Sequence, residues 1–126
     1  MNCVDLKVVL LGAAGVGKSS LVERYLFDRF SDAGCHTTVG AAFGSKNVMV
    51  PGVRSPYLMG IWDTAGSERY ACMTKMYYRS ASAAILCYSL TDHESFRRCR
   101  GWAEELRRCE PDCQLFLCGV KADLVA

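Results

Sequence analysis

The sequence has no Cys-x-x-Cys pair, although it carries eight cysteines, and it has only two histidines, His36 and His93, in 126 residues. Cys3, Cys35, Cys72, Cys87, Cys99, Cys109, Cys113 and Cys118 therefore lack the spacing of a zinc site, and the histidines do not complete one. Cys87 lies in an apolar strand-like run and Cys99 sits between Phe96 and Trp102 at helical spacing, which favours reduced core thiols over a disulfide framework. No long block of Lys and Arg occurs, and the formal net charge of +2 argues against a nucleic-acid binder held by phosphate electrostatics. Arg97, Arg98, Arg100, Arg107 and Arg108 read as the wet face of one helix. No apolar run reaches membrane-spanning length, and the N-terminus lacks the charged-then-apolar pattern of a secretion signal, so a cytoplasmic location is expected. No internal repeat or low-complexity stretch is present. At 51% hydrophobic and 22% charged, the chain has material for one core and not two, so residues 1–126 are expected to form one domain.

What is present begins with a strand-like run, Leu6-Lys-Val-Val-Leu-Leu11, which feeds directly into Gly12-Ala-Ala-Gly-Val-Gly17-Lys18-Ser19. This is a full Gly-x-x-x-x-Gly-Lys-Ser phosphate loop. Its glycines let backbone N–H groups curl around phosphate oxygens, Lys18 bridges the outer phosphates, and the Ser19 hydroxyl can ligate magnesium. A helix beginning near Lys18 points its positive end at the anion. Such loops serve ATPases, kinases and GTPases alike. The loop alone leaves the nucleotide and the reaction open.

The rest of the chain alternates strand and helix, which predicts an α/β domain with a largely parallel sheet. A first strand over 5–11 is followed by a helix ending near Phe30, and 31–40 reads as a loop. Segments 42–50 and 53–63 flank Pro51-Gly52, a turn pair that predicts an antiparallel hairpin. Residues 83–90 read as a buried strand because their apolar character is continuous. Thr91-Asp-His-Glu94 reads as a capping box with Thr91 as the cap and Glu94 reaching back. The helix that follows is expected to bury Phe96, Cys99, Trp102, Ala103 and Leu106 and to end at Pro111, ahead of a fifth strand over 114–120.

Two further motifs narrow the chemistry. At the end of the third strand, Trp62-Asp63-Thr64-Ala65-Gly66 places a carboxylate within reach of a magnesium ion through water, and leaves the Gly66 N–H free for a γ-phosphate. At the end of the fifth, Lys121-Ala122-Asp123 offers a carboxylate to the N1 and N2 donors of guanine, a pair that adenine lacks. In this order and spacing the three motifs resemble the Ras superfamily of small GTPases. Val39-Gly40-Ala41-Ala42-Phe43, Ile61-Trp62-Asp63-Thr64-Ala65-Gly66, Ser67-Glu68-Arg69-Tyr70 and Tyr77-Tyr78-Arg79-Ser80-Ala81 narrow the resemblance to its Rab branch, over nearly the whole chain. The stretches around Gly40 and Gly66 are similar to an atypical member of that branch, which implies vesicle and autophagy-related traffic.

The resemblance implies the α/β fold of P-loop nucleotide-binding proteins, a three-layer sandwich whose mostly parallel sheet holds one antiparallel strand. It also implies GTP or GDP as bound nucleotide, Mg2+ as cofactor, and effector and regulator proteins as partners. By matching motif, Gly12, Ala14, Gly15, Val16, Gly17, Lys18, Ser19 and Ser20 would hold the phosphates. Ser19, Thr38 and Asp63 would hold the metal, with Thr38 in a first switch loop that orders only when a γ-phosphate is present. Asp63 and Gly66 would open the second switch, Lys121 and Asp123 would read the base, and Phe43, Trp62 and Tyr77 would face effectors. An ordinary reading stands beside these: a lone loop threonine is usually solvated, and aromatic residues at strand ends are usually core.

Four departures from the family pattern carry expectations of their own. Ser67 stands where a Gln would orient the attacking water, so intrinsic GTP hydrolysis is expected to be slow, and Ala14, close to the γ-phosphate, slows it further. Val120 replaces an Asn that bonds nucleotide and phosphate loop; one or two lost hydrogen bonds at about 0.5 to 1.5 kcal/mol each weaken binding about tenfold, leaving guanine preference to Asp123. The first switch is short, with seven residues between Phe30 and Thr38, none of them Phe, Tyr or Trp, so the ring that stacks on guanine in this family is lacking unless Phe30 shifts to replace it. The chain stops at Asp123-Leu-Val-Ala126, before the family's sixth strand, second guanine loop and last helix, which would leave the fifth strand an edge. It also lacks a C-terminal lipidation motif, the only expected route to a membrane. The leading expectation is a GTP-dependent switch with weak hydrolysis. Its rivals are a non-catalytic nucleotide-binding interaction module and a small-molecule or nucleoside kinase acting with ATP.

Overall fold

The structure is a computed structural model that describes residues 4–13, 16–27, 42–63 and 78–125. In chain order its elements are β1 (Leu6–Leu11), α1 (Lys18–Phe27), β2 (Ala42–Val48), β3 (Tyr57–Asp63), β4 (Ala83–Ser89), α2 (His93–Cys109) and β5 (Gln114–Val120), followed by a 3-10 turn at Ala122–Leu124. The five strands form one sheet in the order β2-β3-β1-β4-β5. Among the described residues only the β2–β3 pair is antiparallel; β1 runs parallel to both β3 and β4, and β4 runs parallel to β5. The α/β fold expected from the sequence is the one observed.

Burial on both sides explains why β1 and β4 read as continuous apolar runs instead of alternating ones. Side chains still alternate between faces, as the strand period requires. Val9, Leu11, Ala84 and Leu86 point one way and pack with Cys99 and Leu106 of α2, along with Tyr78 and Cys113. Val8, Leu10, Ile61 and Cys87 point the other way and pack with Val16, Leu21 and Val22 of the loop and helix α1. Strand β5 lies at the sheet's edge among the described residues, and Phe116 and Leu117, one on each face, are both exposed. No helix among the described residues is long and apolar enough to cross a membrane.

Three local expectations need correction. The hairpin strands stop at Val48 and restart at Tyr57, so residues 49–56 form the connection. The Pro51-Gly52 turn lies inside it: the Val53 N–H donates to the Val50 carbonyl at 3.0 Å, and Gly52 has φ +84°. Pro56 accounts for the late restart, since it has no N–H for the ladder and holds the residue before it extended.

The cap of α2 is Asp92, not Thr91; the Asp92 carboxylate accepts from the Glu94 N–H at 3.1 Å. Thr91 is engaged elsewhere, its hydroxyl 2.7 Å from Ser89 Oγ and its N–H donating to the same oxygen. Ser89 is buried at the tip of β4 and needs those partners, whereas a carboxylate suits the positive helix end better than a hydroxyl does. Glu94 does not reach back but pairs with Arg97 at 3.8 Å.

Phe96 is exposed, not buried: it lies edge-on to Tyr88, with ring centroids 5.0 Å apart, and stacks on His93. The inward stripe of α2 starts instead at Ser95, which is buried and accepts the Ser89 N–H at 2.9 Å. From there it runs through Cys99 and the half-buried Trp102 to Leu106 at helical spacing.

Candidate functional site

The strand order changes direction at β1, because the chain leaves it toward β3 on one side and returns to β4 on the other. In open α/β sheets such a switch point opens a crevice beyond the carboxyl ends of the strands, where the flanking loops diverge. The parallel strands β1, β3, β4 and β5 all end along this edge, with Leu10 opposite Asp63 and Ser89 opposite Val120.

The loop after β1 is shaped by close approach. A Cβ on Gly12 would lie 2.5 Å from the Cys87 backbone oxygen, so only glycine lets the chain pass β4 at this point. The Val16 N–H closes the turn onto the Ala13 carbonyl at 3.3 Å, and the buried Val16 side chain anchors the loop in the apolar layer. Gly17 adopts φ +112°, and the Leu21 N–H donates to its carbonyl at 3.0 Å, so α1 begins there. The helix thus points its N-terminal end at the loop, an arrangement that favours an anion.

Two charged side chains are buried at this edge, Lys18 at 5% exposure and Asp63 at 1%. Lys18 Nζ donates to the Gly12 carbonyl at 2.6 Å and to the Ala13 carbonyl at 3.2 Å, which folds the ammonium back over the loop. Both charges act on Cys87, which lies beneath them on β4. Burial first, and then the Cys118 thiol, pushes the Cys87 thiol up to about 12; Lys18 opposes this, while Cys99 and Asp63 add to it. One thiol therefore registers the tips of β1 and β3 together.

On the far side, Val120 ends β5 and Lys121 turns the chain with a left-handed φ of 65°. Asp123 stands exposed in the 3-10 turn that follows. This turn is not remote from the loop. A Cβ on Gly17 would lie 3.6 Å from Val120 Cγ2 and 4.0 Å from Lys121 Cε.

The sequence that builds this glycine loop and helix at the switch point of a parallel sheet matches the model of the Ras family over residues 7–126. The chain belongs to the Ras family. This Ras-family chain is 51% identical over 122 residues to Ras-related protein Rab-24 of Dictyostelium discoideum, covering 97% of itself and 58% of that protein. It is 44% identical over 126 residues to Ras-like GTP-binding protein RYL2 of Yarrowia lipolytica, covering 99% of itself and 59% of the relative. With human Ras-related protein Rab-22A it shares 43% identity over 122 residues, 96% of itself and 61% of the relative. The chain spans about three fifths of the length of these curated relatives.

Gly12, Val16, Gly17, Lys18, Ser20, Asp63, Lys121 and Asp123 all lie along the one edge. Ser19 is described by its backbone, in the first turn of α1. Ala14, Gly15, Thr38, Gly66, Ser67 and Tyr77 lie outside the described residues. Of the aromatic triad, Phe43 and Trp62 are register partners on β2 and β3. Trp62 is half-buried against the α2-side core, with Lys7 Nζ 5.4 Å from its ring centroid. Cys87 was missed as the floor of the site. Its signal was a small side chain after the bulkier Ile-Leu pair in the run Ala-Ala-Ile-Leu-Cys-Tyr, at the height where the loop crosses β4.

Proposed function

We propose that this Ras-family chain binds guanine nucleotides and acts as a GTP-dependent molecular switch with slow GTP hydrolysis, in vesicle and autophagy-related traffic. The observation that carries the reading is the meeting of three motifs at one sheet edge: the loop from Gly12 to Lys18, the buried Asp63, and the Lys121 turn beside Gly17. The family match and the Rab-type relatives support it.

In this reading the loop N–H groups and the start of α1 receive the β- and γ-phosphates, and Lys18 swings from its two carbonyl partners to the outer phosphate oxygens. Asp123 accepts from the guanine edge. The residues fit a hard divalent cation: Asp63 supplies a buried carboxylate oxygen beside the loop, and Ser19 and Thr38 would add hydroxyls. Bound Mg2+ would neutralise phosphate charge. Water attack on the γ-phosphate then depends on positioning and on Lys18, because Ser67 is too short to orient the water as a Gln does. Lys18, Ser67 and Thr38 are accordingly the residues we assign to the switch chemistry, and Phe43, Trp62 and Tyr77 the ones we assign to effector contact.

The test is binding of labelled GTP, GDP and ATP with and without magnesium, followed by single-turnover phosphate release. Guanosine nucleotides binding at least tenfold more tightly than ATP, with release slower than in a Gln-containing Rab, is the expected result. Equal affinity for ATP sinks the base assignment. One observation favours a second reading, a non-catalytic nucleotide-binding interaction module: Val120, apolar where a polar bridge to the nucleotide would sit, packs against the loop. Bound GTP retained through purification without turnover decides for it.

A further inference from the structure

We propose that Val120 is a positioning residue for the phosphate loop: its side chain packs into the apolar layer that seats Val16 and stands beside Gly17, so the base-side end of β5 sets where the loop's N–H groups stand. The inference rests on the reading of that loop as a phosphate site and assigns it an internal control.

Val120 has no side-chain donor or acceptor, yet its place is closely determined. Its carbonyl accepts the Leu90 N–H at 2.9 Å, and its backbone pairs in register with Ser89, so the tip of β5 is tied to β4. Its side chain points to the α1 face, into the layer that holds Leu10, Cys87 and the buried Val16. It also faces the neighbouring backbone, where a Cβ on Gly17 would lie 3.6 Å from Val120 Cγ2. Val16 thus rests by its side chain in an apolar layer that includes the end of β5, and the next residue, Gly17, has Val120 beside the position a Cβ would take. By contrast, the backbone hydrogen bond across the loop between described residues, Val16 N–H to Ala13 O at 3.3 Å, is a long one.

A β-branched side chain adds to this, since it has few rotamers and does not yield as a flexible one would. Gly17 has no side chain to pack, so beyond the Leu21 N–H on its carbonyl its φ of +112° gains definition from neighbours such as Val120. The expectation that Val120 merely forfeits hydrogen bonds is therefore incomplete. The link between base side and phosphate side is kept and has become apolar.

The consequence is specific: a ligand with phosphates and no base should feel a change at residue 120. The experiment measures binding of GTP and of inorganic tripolyphosphate, with magnesium, at 10 °C, to wild type, V120A, V120I and D123N. V120A changes no side-chain hydrogen-bonding group but removes apolar volume from the layer that seats Val16. It should weaken both ligands by the same factor, about tenfold, equivalent to about 1.4 kcal/mol. V120I, which keeps the β-branch, should stay within about twofold for both. D123N should weaken GTP alone.

A merely structural valine would lower the melting midpoint of V120A and leave binding at 10 °C intact. That result, or a loss confined to GTP, overturns the inference while the nucleotide reading stands. A wild-type chain that binds neither ligand overturns the nucleotide reading and the inference with it. If V120A loses its cooperative melt, V120C carries the same comparison with a smaller parallel loss, about threefold.

Discussion

At the scale of single residues, the site is built from side chains that are small or missing where backbone must pass backbone. Gly12 is the clearest case, with the Cys87 carbonyl oxygen where a methyl would go. Gly12→Ala should destabilise the fold by about 1–3 kcal/mol, because the obstacle is main chain and cannot rotate away. Urea denaturation checks this, and an unchanged midpoint would show that the loop does not cross β4 as described. The glycine was legible from the motif. The cause of its need was not, since it depends on a strand about seventy-five residues further along.

The thiols give a second residue-scale prediction. Cys87 is pushed up from 9.0 to about 12, chiefly by burial. Burial also raises Cys99 and Cys113, the latter helped by Glu110. Below pH 9 the folded and unfolded chains both hold these protons, and the full stability is present. Between pH 9 and 12 the unfolded chain releases them first, so stability falls as pH rises. Lys7, lowered by burial, acts in the opposite sense just below its ordinary value of 10.5. The melting midpoint should hold steady to about pH 8.5 and decline beyond it, less steeply in Cys87→Ala. A midpoint flat to pH 10.5 in wild type contradicts the burial of these thiols.

At the scale of elements, the sequence was most readable where a continuous apolar run marked a strand, whether well packed as in β4 or at the sheet's edge as in β5. Strand β5 was expected over 114–120 and is found at Gln114–Val120; β4 differs from its expected range by one residue. Ends governed by competition were less readable. Thr91 and Asp92 are both good caps, and the outcome turned on Ser89, a buried hydroxyl that takes Thr91 for itself. Ser95 was passed over because a serine reads as surface, whereas its hydroxyl serves the β4 backbone.

Two substitutions on α2 separate these effects. Asp92→Ala should cost about 1 kcal/mol through the lost cap. Gly101→Ala should stabilise by about 0.5–1 kcal/mol, because Gly101 is exposed in mid-helix and an added methyl meets nothing within 4 Å. Denaturant midpoints of the two variants should therefore move in opposite directions. If Thr91→Ala costs more than Asp92→Ala, the cap has been assigned to the wrong residue.

At the scale of the whole molecule, what the sequence could not display is strand order, and strand order makes the site. Lys18, Asp63 and Asp123 are 45 and 60 residues apart in sequence, and only the β3-β1-β4-β5 arrangement aligns their strand ends on one edge. A ligand spanning that edge would tie β1, β3 and β5 together and must stabilise all of them at once. By mass action, GTP with magnesium at one hundred times its dissociation constant should add about 2.7 kcal/mol, which for a domain of this size is about 10 °C in melting midpoint. ATP at the same concentration should give a much smaller shift, and Asp123→Asn should bring the two shifts together by lowering that of GTP. Gly12→Ala should shrink the shift from both nucleotides, because it disturbs the end of the site that they share. A GTP shift that survives Asp123→Asn would place the base somewhere other than the turn after β5, and the edge would then hold phosphates without reading what they carry.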